Sequence, residues 1–340
     1  MRWYYFPIIF IMAVIPQTSS VPAAYDTVMQ FLDRRIVEAR AERAAYFQPD
    51  RSSASAYEAS LEPFRADLRK MIGVPAECLR QVRPELLEDR AIGEIEGIEI
   101  HLLRLRVCDG LLDFEALTGG NGPVALAISG TAGTPERVMG ADGDDYHHKF
   151  GLRLAQAGYF VIAPTIITEP IGSSDINRLR NELDKRAQAV GLRLLGIEVG
   201  MMISALDYYG GAAVVYGISL GGRLSQLVGA LDNRIGTVVI SEYVEDQEGK
   251  MAGRDYPDAF WARANSDYVI MMGYLTRFDD VILAGLIAPR RLVVEVGRLD
   301  PRYGPTLTLW PEIAAAAPGA VLIVGDRGHE TYPQTIEEVR

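Results

Sequence analysis

The run Val214-Val215-Tyr216-Gly217-Ile218-Ser219-Leu220-Gly221-Gly222 carries an apolar strand into Gly-x-Ser-x-Gly and then into a helix. A strand-to-helix turn this tight forces unusual backbone angles on the serine. Side chains at Gly217 and Gly221 would collide with the neighbouring strand and helix. The turn lifts the Ser219 hydroxyl above the C-terminal edge of a sheet, at a helix N-terminus, where the dipole and free N–H groups favour negative charge. That is the setting of a serine nucleophile. The bland alternative is a glycine-rich turn with an incidental serine, which has no need of the strand before it and the helix after it.

A serine hydroxyl needs a base. Of the four histidines, His329 follows the last apolar strand, in Gly325-Asp326-Arg327-Gly328-His329-Glu330. His101 falls inside the first strand, far from the elbow. His147 and His148 precede a helix; adjacent residues point in different directions and cannot chelate as an i, i+4 pair could, so both are read as solvated, with metal binding as the alternative. The acid that orients the imidazole is expected from Gly297-Arg298-Leu299-Asp300-Pro301, as Asp300. Glu242 and Asp246, after the preceding strand, are rivals. Asp326 lies too close to His329 in a tight loop, and Glu295 lies inside a strand. Acyl transfer also needs N–H donors for the developing oxyanion. One is expected from Leu220, just after the nucleophile. The other comes from the loop Ser129-Gly130-Thr131-Ala132-Gly133-Thr134, with Thr131 first and Ala132 behind it. An ordinary glycine turn would look the same. No metal site is expected, and Asp142-Gly143-Asp144-Asp145 lacks the ligand spacing and final glutamate of an EF-hand.

These residues need a rigid frame, and the pattern supplies one. Val124–Ser129, Phe160–Pro164, Ala212–Gly217, Thr237–Ser241, Leu292–Val296 and Val321–Val324 are short and apolar on both faces, as buried parallel strands are. Helical stretches intervene at Lys149–Gln156, Ile176–Tyr209 (broken near Gly191 or Gly196) and Leu220–Leu231. Ahead of them, Ile98–Val107 and Leu111–Leu117 form a hairpin across a Cys-Asp-Gly turn. The expected fold is therefore α/β: a mostly parallel, doubly wound sheet with helices on both faces. Between 25 and 75, Val28, Phe31, Leu32 and Ile36, and then Tyr57, Leu61, Phe64, Leu68 and Met71, give two amphipathic helical stripes.

The chain divides accordingly: a signal peptide over 1–23, a helical appendage over 24–90 and a catalytic domain over 91–340, with a cap-like insertion at 242–289. Arg2, the uncharged apolar run Trp3–Ile15 and the small-residue site Val21-Pro22-Ala23 make the signal peptide; an uncleaved anchor is the alternative. The expected location is secreted or periplasmic, with no stable membrane span after processing. Export permits a disulfide between Cys78 and Cys108, although two buried free thiols fit the sequence as well. The net charge of −11 repels phosphate backbones and excludes nucleic acid as a partner. The insertion holds Tyr243, Tyr256, Phe260, Trp261, Tyr268, Tyr274 and Phe278, either as a stacking surface for substrate or as its own core.

The order Ser219, Asp300, His329 is that of α/β-hydrolases. Phe150-Gly151-Leu152-Arg153-Leu154-Ala155-Gln156-Ala157-Gly158-Tyr159, Gly217-Ile218-Ser219-Leu220-Gly221-Gly222-Arg223, Leu286-Ile287-Ala288-Pro289-Arg290 and Gly328-His329-Glu330 resemble the dienelactone-hydrolase and acetyl-xylan-esterase-like branch of that superfamily, over roughly Leu86 to Pro333. The resemblance implies an esterase of small acyl groups, often on carbohydrates, with no cofactor, and Asp300 and His329 at the matching triad positions. One departure is Ser129-Gly130, where relatives carry His-Gly. Alternatives are a serine peptidase of the prolyl-oligopeptidase type, although no propeller-sized domain is present, and a catalytically silent binding protein on the same fold.

Overall fold

Val214, Tyr216 and Ile218 of one strand join a core on one face of a sheet, while Val215 joins the core on the other. Ala125 and Ala127 alternate in the same way with Leu126 and Ile128, and Val239 with Val238 and Ile240. Strands apolar at every position need helices on both faces, and they have them. The computed structural model describes residues 20–131, 133–167, 176–252 and 267–340.

In chain order the elements are α1 (Ser20–Tyr46), α2 (Ala54–Ser60), α3 (Glu62–Met71), β1 (Glu85–Ile95), β2 (Ile98–Val107), β3 (Leu112–Gly119), β4 (Val124–Ile128), α4 (Pro135–Met139), α5 (Phe150–Gln156), β5 (Phe160–Pro164), α6 (Ile176–Gln188), α7 (Leu194–Leu206), β6 (Ala212–Ile218), α8 (Leu220–Leu231), β7 (Ile235–Ser241), α9 (Gln247–Ala252), α10 (Asp280–Ile287), β8 (Arg291–Gly297), α11 (Tyr303–Ala316), β9 (Val321–Gly325) and α12 (Pro333–Val339). The described strands form one nine-stranded sheet in the order β1-β2-β3-β5-β4-β6-β7-β8-β9. β1 to β3 run antiparallel, β3 meets β5 antiparallel, and β5, β4, β6, β7, β8 and β9 are parallel. The chain leaves β4 for β5 on one side and reaches β6 on the other. That reversal opens a crevice at the C-terminal ends of β4 and β6.

β1 is a strand that the sequence reading did not include. Its residues are mostly exposed and carry Glu85, Glu88, Asp89, Arg90 and Glu94. A charged edge strand has no buried face to impose alternation, and its charges guard the open edge. The helical stretch expected over 176–209 is two helices, α6 and α7, with the break at 189–193.

Phe150, Leu154, Ile336 and Val339 bring α5 and α12 onto one face of the sheet. Leu195, Leu224 and Leu283 bring α7, α8 and α10 onto the other. Tyr57 of α2, Leu68 of α3 and Leu61 between the two helices belong to this second core, and Arg65 donates to the carbonyls of Ala230 and Leu286. Cys78 and Cys108 are joined in a disulfide, which ties the segment after α3 to the β2–β3 turn. Among the described residues no helix is long and apolar enough to cross a membrane. The proposed signal peptide falls almost wholly outside them.

Candidate active site

Ser219 follows β6 with φ 58° and ψ −121°, a strained conformation held by its own N–H donating to Ser241 O at 2.9 Å. The flanking glycines are forced by space. A β-carbon on Gly217 would stand 2.1 Å from Gly221 O, and one on Gly221 would stand 2.2 Å from Ile128 O and 2.5 Å from Ser129 O. The same closeness lays the N-terminus of α8 against the loop after β4. The N–H groups of Leu220 and Thr131 stand on these two abutting segments, and neither has a hydrogen-bond partner among the described residues. Ala132, the reserve donor, lies outside them.

The loops after β8 and β9 are laced together. Arg298 N–H donates to Gly325 O at 3.0 Å and Leu299 N–H to Arg327 O at 2.9 Å. This brings Asp300 Oδ2 to 2.6 Å from His329 Nδ1. Asp300 is buried and accepts the Arg302 N–H at 2.7 Å, and the Arg302 guanidinium lies 3.3 Å away. Burial alone would raise the Asp300 carboxyl. The His329 hydrogen bond and the Arg302 charge outweigh it and hold the pKa at about 2. The half-buried imidazole keeps Nε2 for a second partner. No hydrogen bond joins His329 to Ser219 in this structure.

Glu242, at the end of β7, completes the cluster. One atom each from Glu242, Asp300 and His329 lie within 4.8 Å of one another. Glu242 Oε1 accepts Gly297 N–H at 2.7 Å, while the buried Oε2 has no hydrogen-bond partner among the described residues. Burial first, and then the charge of Asp300, push its carboxyl up to about 9. It therefore stands as a neutral acid at neutral pH. A metal shared by His329 and Asp300, with bonds of ~2.0–2.2 Å near tetrahedral angles, would hold their ligand atoms about 3 Å or more apart. The observed 2.6 Å is a charge-assisted hydrogen bond.

Two histidines contradict the sequence reading. His147 is fully buried; its Nε2 accepts Gly130 N–H at 3.1 Å and its Nδ1 meets Asp145 Oδ1 at 2.8 Å. His148 is largely buried, with Nε2 2.9 Å from Glu330 Oε2. Adjacent residues do point apart, but both directions lead inward. The sequence reading also missed Arg302, whose place two residues after Asp300 was the available signal. Glu295 proves structural: it accepts from Tyr216 Oη at 3.0 Å, Ser241 Oγ at 2.5 Å and Tyr332 N–H at 3.1 Å, tying β6, β7 and β8 to the segment after His329.

Of the insertion's aromatics, Tyr256, Phe260 and Trp261 lie outside the described residues. Tyr243, Tyr268, Tyr274 and Phe278 are buried, and Tyr243 and Tyr274 flank the buried Arg223 guanidinium at 5.6 and 5.0 Å. A mostly apolar cleft of about 380 Å³ runs between α1 and residues 269–276, lined by Met29, Leu32, Ile36, Met271 and Tyr274, and none of Ser219, Asp300 or His329 reaches it.

No protein-family model and no curated protein matches the sequence. Solved structures do. A Bacteroides fragilis protein provisionally described as an acetyl xylan esterase matches with TM-score 0.63 at 14% identity, over 86% of this chain and 81% of its own. A carbohydrate esterase family 15 glucuronoyl esterase from Caldicellulosiruptor kristjansonii matches with TM-score 0.57 at 16% identity, over 84% of each chain. Acetyl Xylan Esterase 1 from Thermoanaerobacterium sp. matches with TM-score 0.50 at 17% identity, over 81% of this chain and 98% of its own. The chain thus has the α/β-hydrolase fold.

Proposed function

We propose that this α/β-hydrolase-fold chain is a serine hydrolase of carboxylic esters carrying small acyl groups, including esters on carbohydrates. The observation that carries the reading is the buried Asp300–His329 bond at the ends of β8 and β9, in a chain whose β6 ends in a strained serine at a helix N-terminus. Ser219 Oγ attacks the ester carbonyl carbon and gives its proton to His329 Nε2. Asp300 holds the Nδ1–H tautomer and offsets the imidazolium charge. The carbonyl oxygen, now an oxyanion, takes the N–H groups of Leu220 and Thr131. Collapse breaks the bond to the alcohol oxygen, which leaves with the imidazolium proton. Water, deprotonated by His329, then releases the acid and restores Ser219.

Esters come before other acyl substrates because the named structural neighbours are acetyl xylan and glucuronoyl esterases. The Cys78–Cys108 disulfide fits an oxidising compartment and favours the secreted or periplasmic placement, with 1–23 as the signal peptide.

The test is covalent. A fluorophosphonate should label the purified chain at Ser219, and Ser219→Ala should neither be labelled nor turn over p-nitrophenyl acetate, while unfolding at a similar temperature. Activity of that variant within about tenfold of the parent would remove the serine from the mechanism.

A further inference from the structure

We propose that His147 positions the oxyanion loop: by accepting the Gly130 N–H it fixes the peptide immediately before the one that presents Thr131 N–H to the reacting carbonyl. The inference rests on the serine-hydrolase reading and assigns that site a residue outside the triad.

The hydrogen bonds fix the chemistry of His147. Gly130 N–H is the donor to Nε2 at 3.1 Å, so Nε2 carries no proton. The ring proton sits on Nδ1 and is donated to Asp145 Oδ1 at 2.8 Å. Asp145 is itself secured by the His147 N–H at 2.9 Å and by Arg137 at 3.0 Å. The ring is fully buried, and that burial favours the neutral form which the Gly130 bond requires. A chain of Arg137, Asp145 and His147 thus ends on the main chain of the oxyanion loop.

The loop is moulded on this support. A β-carbon at Gly133 would stand 2.5 Å from His147 Nε2, and one at Gly130 would stand 2.4 Å from Tyr146 Oη. The other side of the same dipeptide is tied to the base. Thr331, two residues after His329, donates its N–H to Tyr146 O at 3.0 Å and its hydroxyl to His147 O at 2.6 Å. The rings of Tyr146 and His329 have centroids 6.0 Å apart. Tyr146-His147 therefore couples the place where the oxyanion forms to the loop that carries the base. With Gly130 N–H committed to His147 and Gly133 N–H to Gly130 O, the next N–H along from Gly130, that of Thr131, has no partner among the described residues.

The test compares two polar replacements of similar size in the full chain. Gln at 147 carries its amide to the position of Nε2 and can accept Gly130 N–H. Asn carries its amide only as far as Nδ1, where it can still meet Asp145. His147→Asn should lower kcat for p-nitrophenyl acetate by ~10²-fold, as losing an oxyanion donor does, with KM within about threefold and fluorophosphonate labelling slowed in proportion. His147→Gln should return to within about tenfold of the parent. Circular dichroism and unfolding temperature check that both fold. Equal kcat for Asn and Gln, or a loss carried by KM, overturns the inference. If either variant does not fold, His147→Ser and His147→Thr take its place, and neither should recover. A parent chain that neither labels nor hydrolyses esters overturns the serine-hydrolase reading and this inference with it; a parent that does both while position 147 is silent overturns this inference alone.

Discussion

The segments that follow β7 and β8 bring two buried carboxyl side chains, Glu242 and Asp300, together above the sheet, and the chain keeps the first neutral and the second charged. Asp300 sits between cations and donors: His329 Nδ1 at 2.6 Å, the Arg302 N–H at 2.7 Å and the Arg302 guanidinium at 3.3 Å. Glu242, on a left-handed backbone with φ 53°, has one main-chain donor, Gly297 N–H, and a second oxygen with no partner among the described residues. Burial acts on both. Only at Asp300 do the partners overcome it, and the resulting anion then helps keep Glu242 protonated. Which of two neighbouring carboxyl groups carries the charge is thus decided by the cations each can reach, and not by which strand it follows.

Turnover should break the symmetry most strongly. Asp300→Asn removes the charge that offsets the imidazolium and lets the wrong His329 tautomer form. We expect kcat to fall at least ~10³-fold with much less change in KM. Glu242→Gln keeps an acceptor for Gly297 N–H and supplies the amide protons of a neutral group, so kcat should change less than about tenfold. The measurement is steady-state kinetics on a small acetate ester for both variants. The reverse ranking would move the acid to the end of β7.

This contrast was only half legible in the sequence. Asp300 could be chosen because Gly297-Arg298-Leu299-Asp300-Pro301 directly follows an apolar strand, and Ser219 because its glycines bracket a strand-to-helix turn. The six parallel strands were legible for the same reason: burial on both faces leaves runs such as Leu292–Val296 with hardly a polar residue. β1 was hidden because an exposed, charged edge strand has no periodic signature. The state of Glu242 depends on Gly297 N–H, 55 positions away, and on an anion delivered by another loop. His147 was misread for a related reason. Its partner Gly130 is 17 positions away, and only the Asp145-x-His147 spacing hinted locally that the ring was engaged. Strand ends can be read from short windows; what meets above them is set by the register of β6 to β9.

The smaller effect to measure is on stability, and it tests the protonation of Glu242 directly. Its folded pKa of about 9 is above the ordinary glutamate value of 4.5. Below pH ~4.5 both the folded and the unfolded chain hold this proton, and the group leaves stability unchanged. Between there and about 9 the unfolded chain releases the proton and the folded chain keeps it, so stability falls by up to ~1.4 kcal/mol per pH unit; above that range the loss is complete. Asp300 has the opposite sign: its depressed pKa contributes stability above ~3.8 that is lost only as the pH falls towards about 2, outside the window of interest. Asp280 and Glu295, both raised to about 7 mainly by burial, titrate inside the window. They are present in the parent and in Glu242→Gln alike, so they cancel in the difference. Denaturant titrations of the two proteins at pH 5.5, 7 and 8.5 should therefore diverge, with Glu242→Gln gaining on the parent at each step. Parallel curves would mean that Glu242 is already ionised at pH 5.5, and two anions would then share the space beside His329.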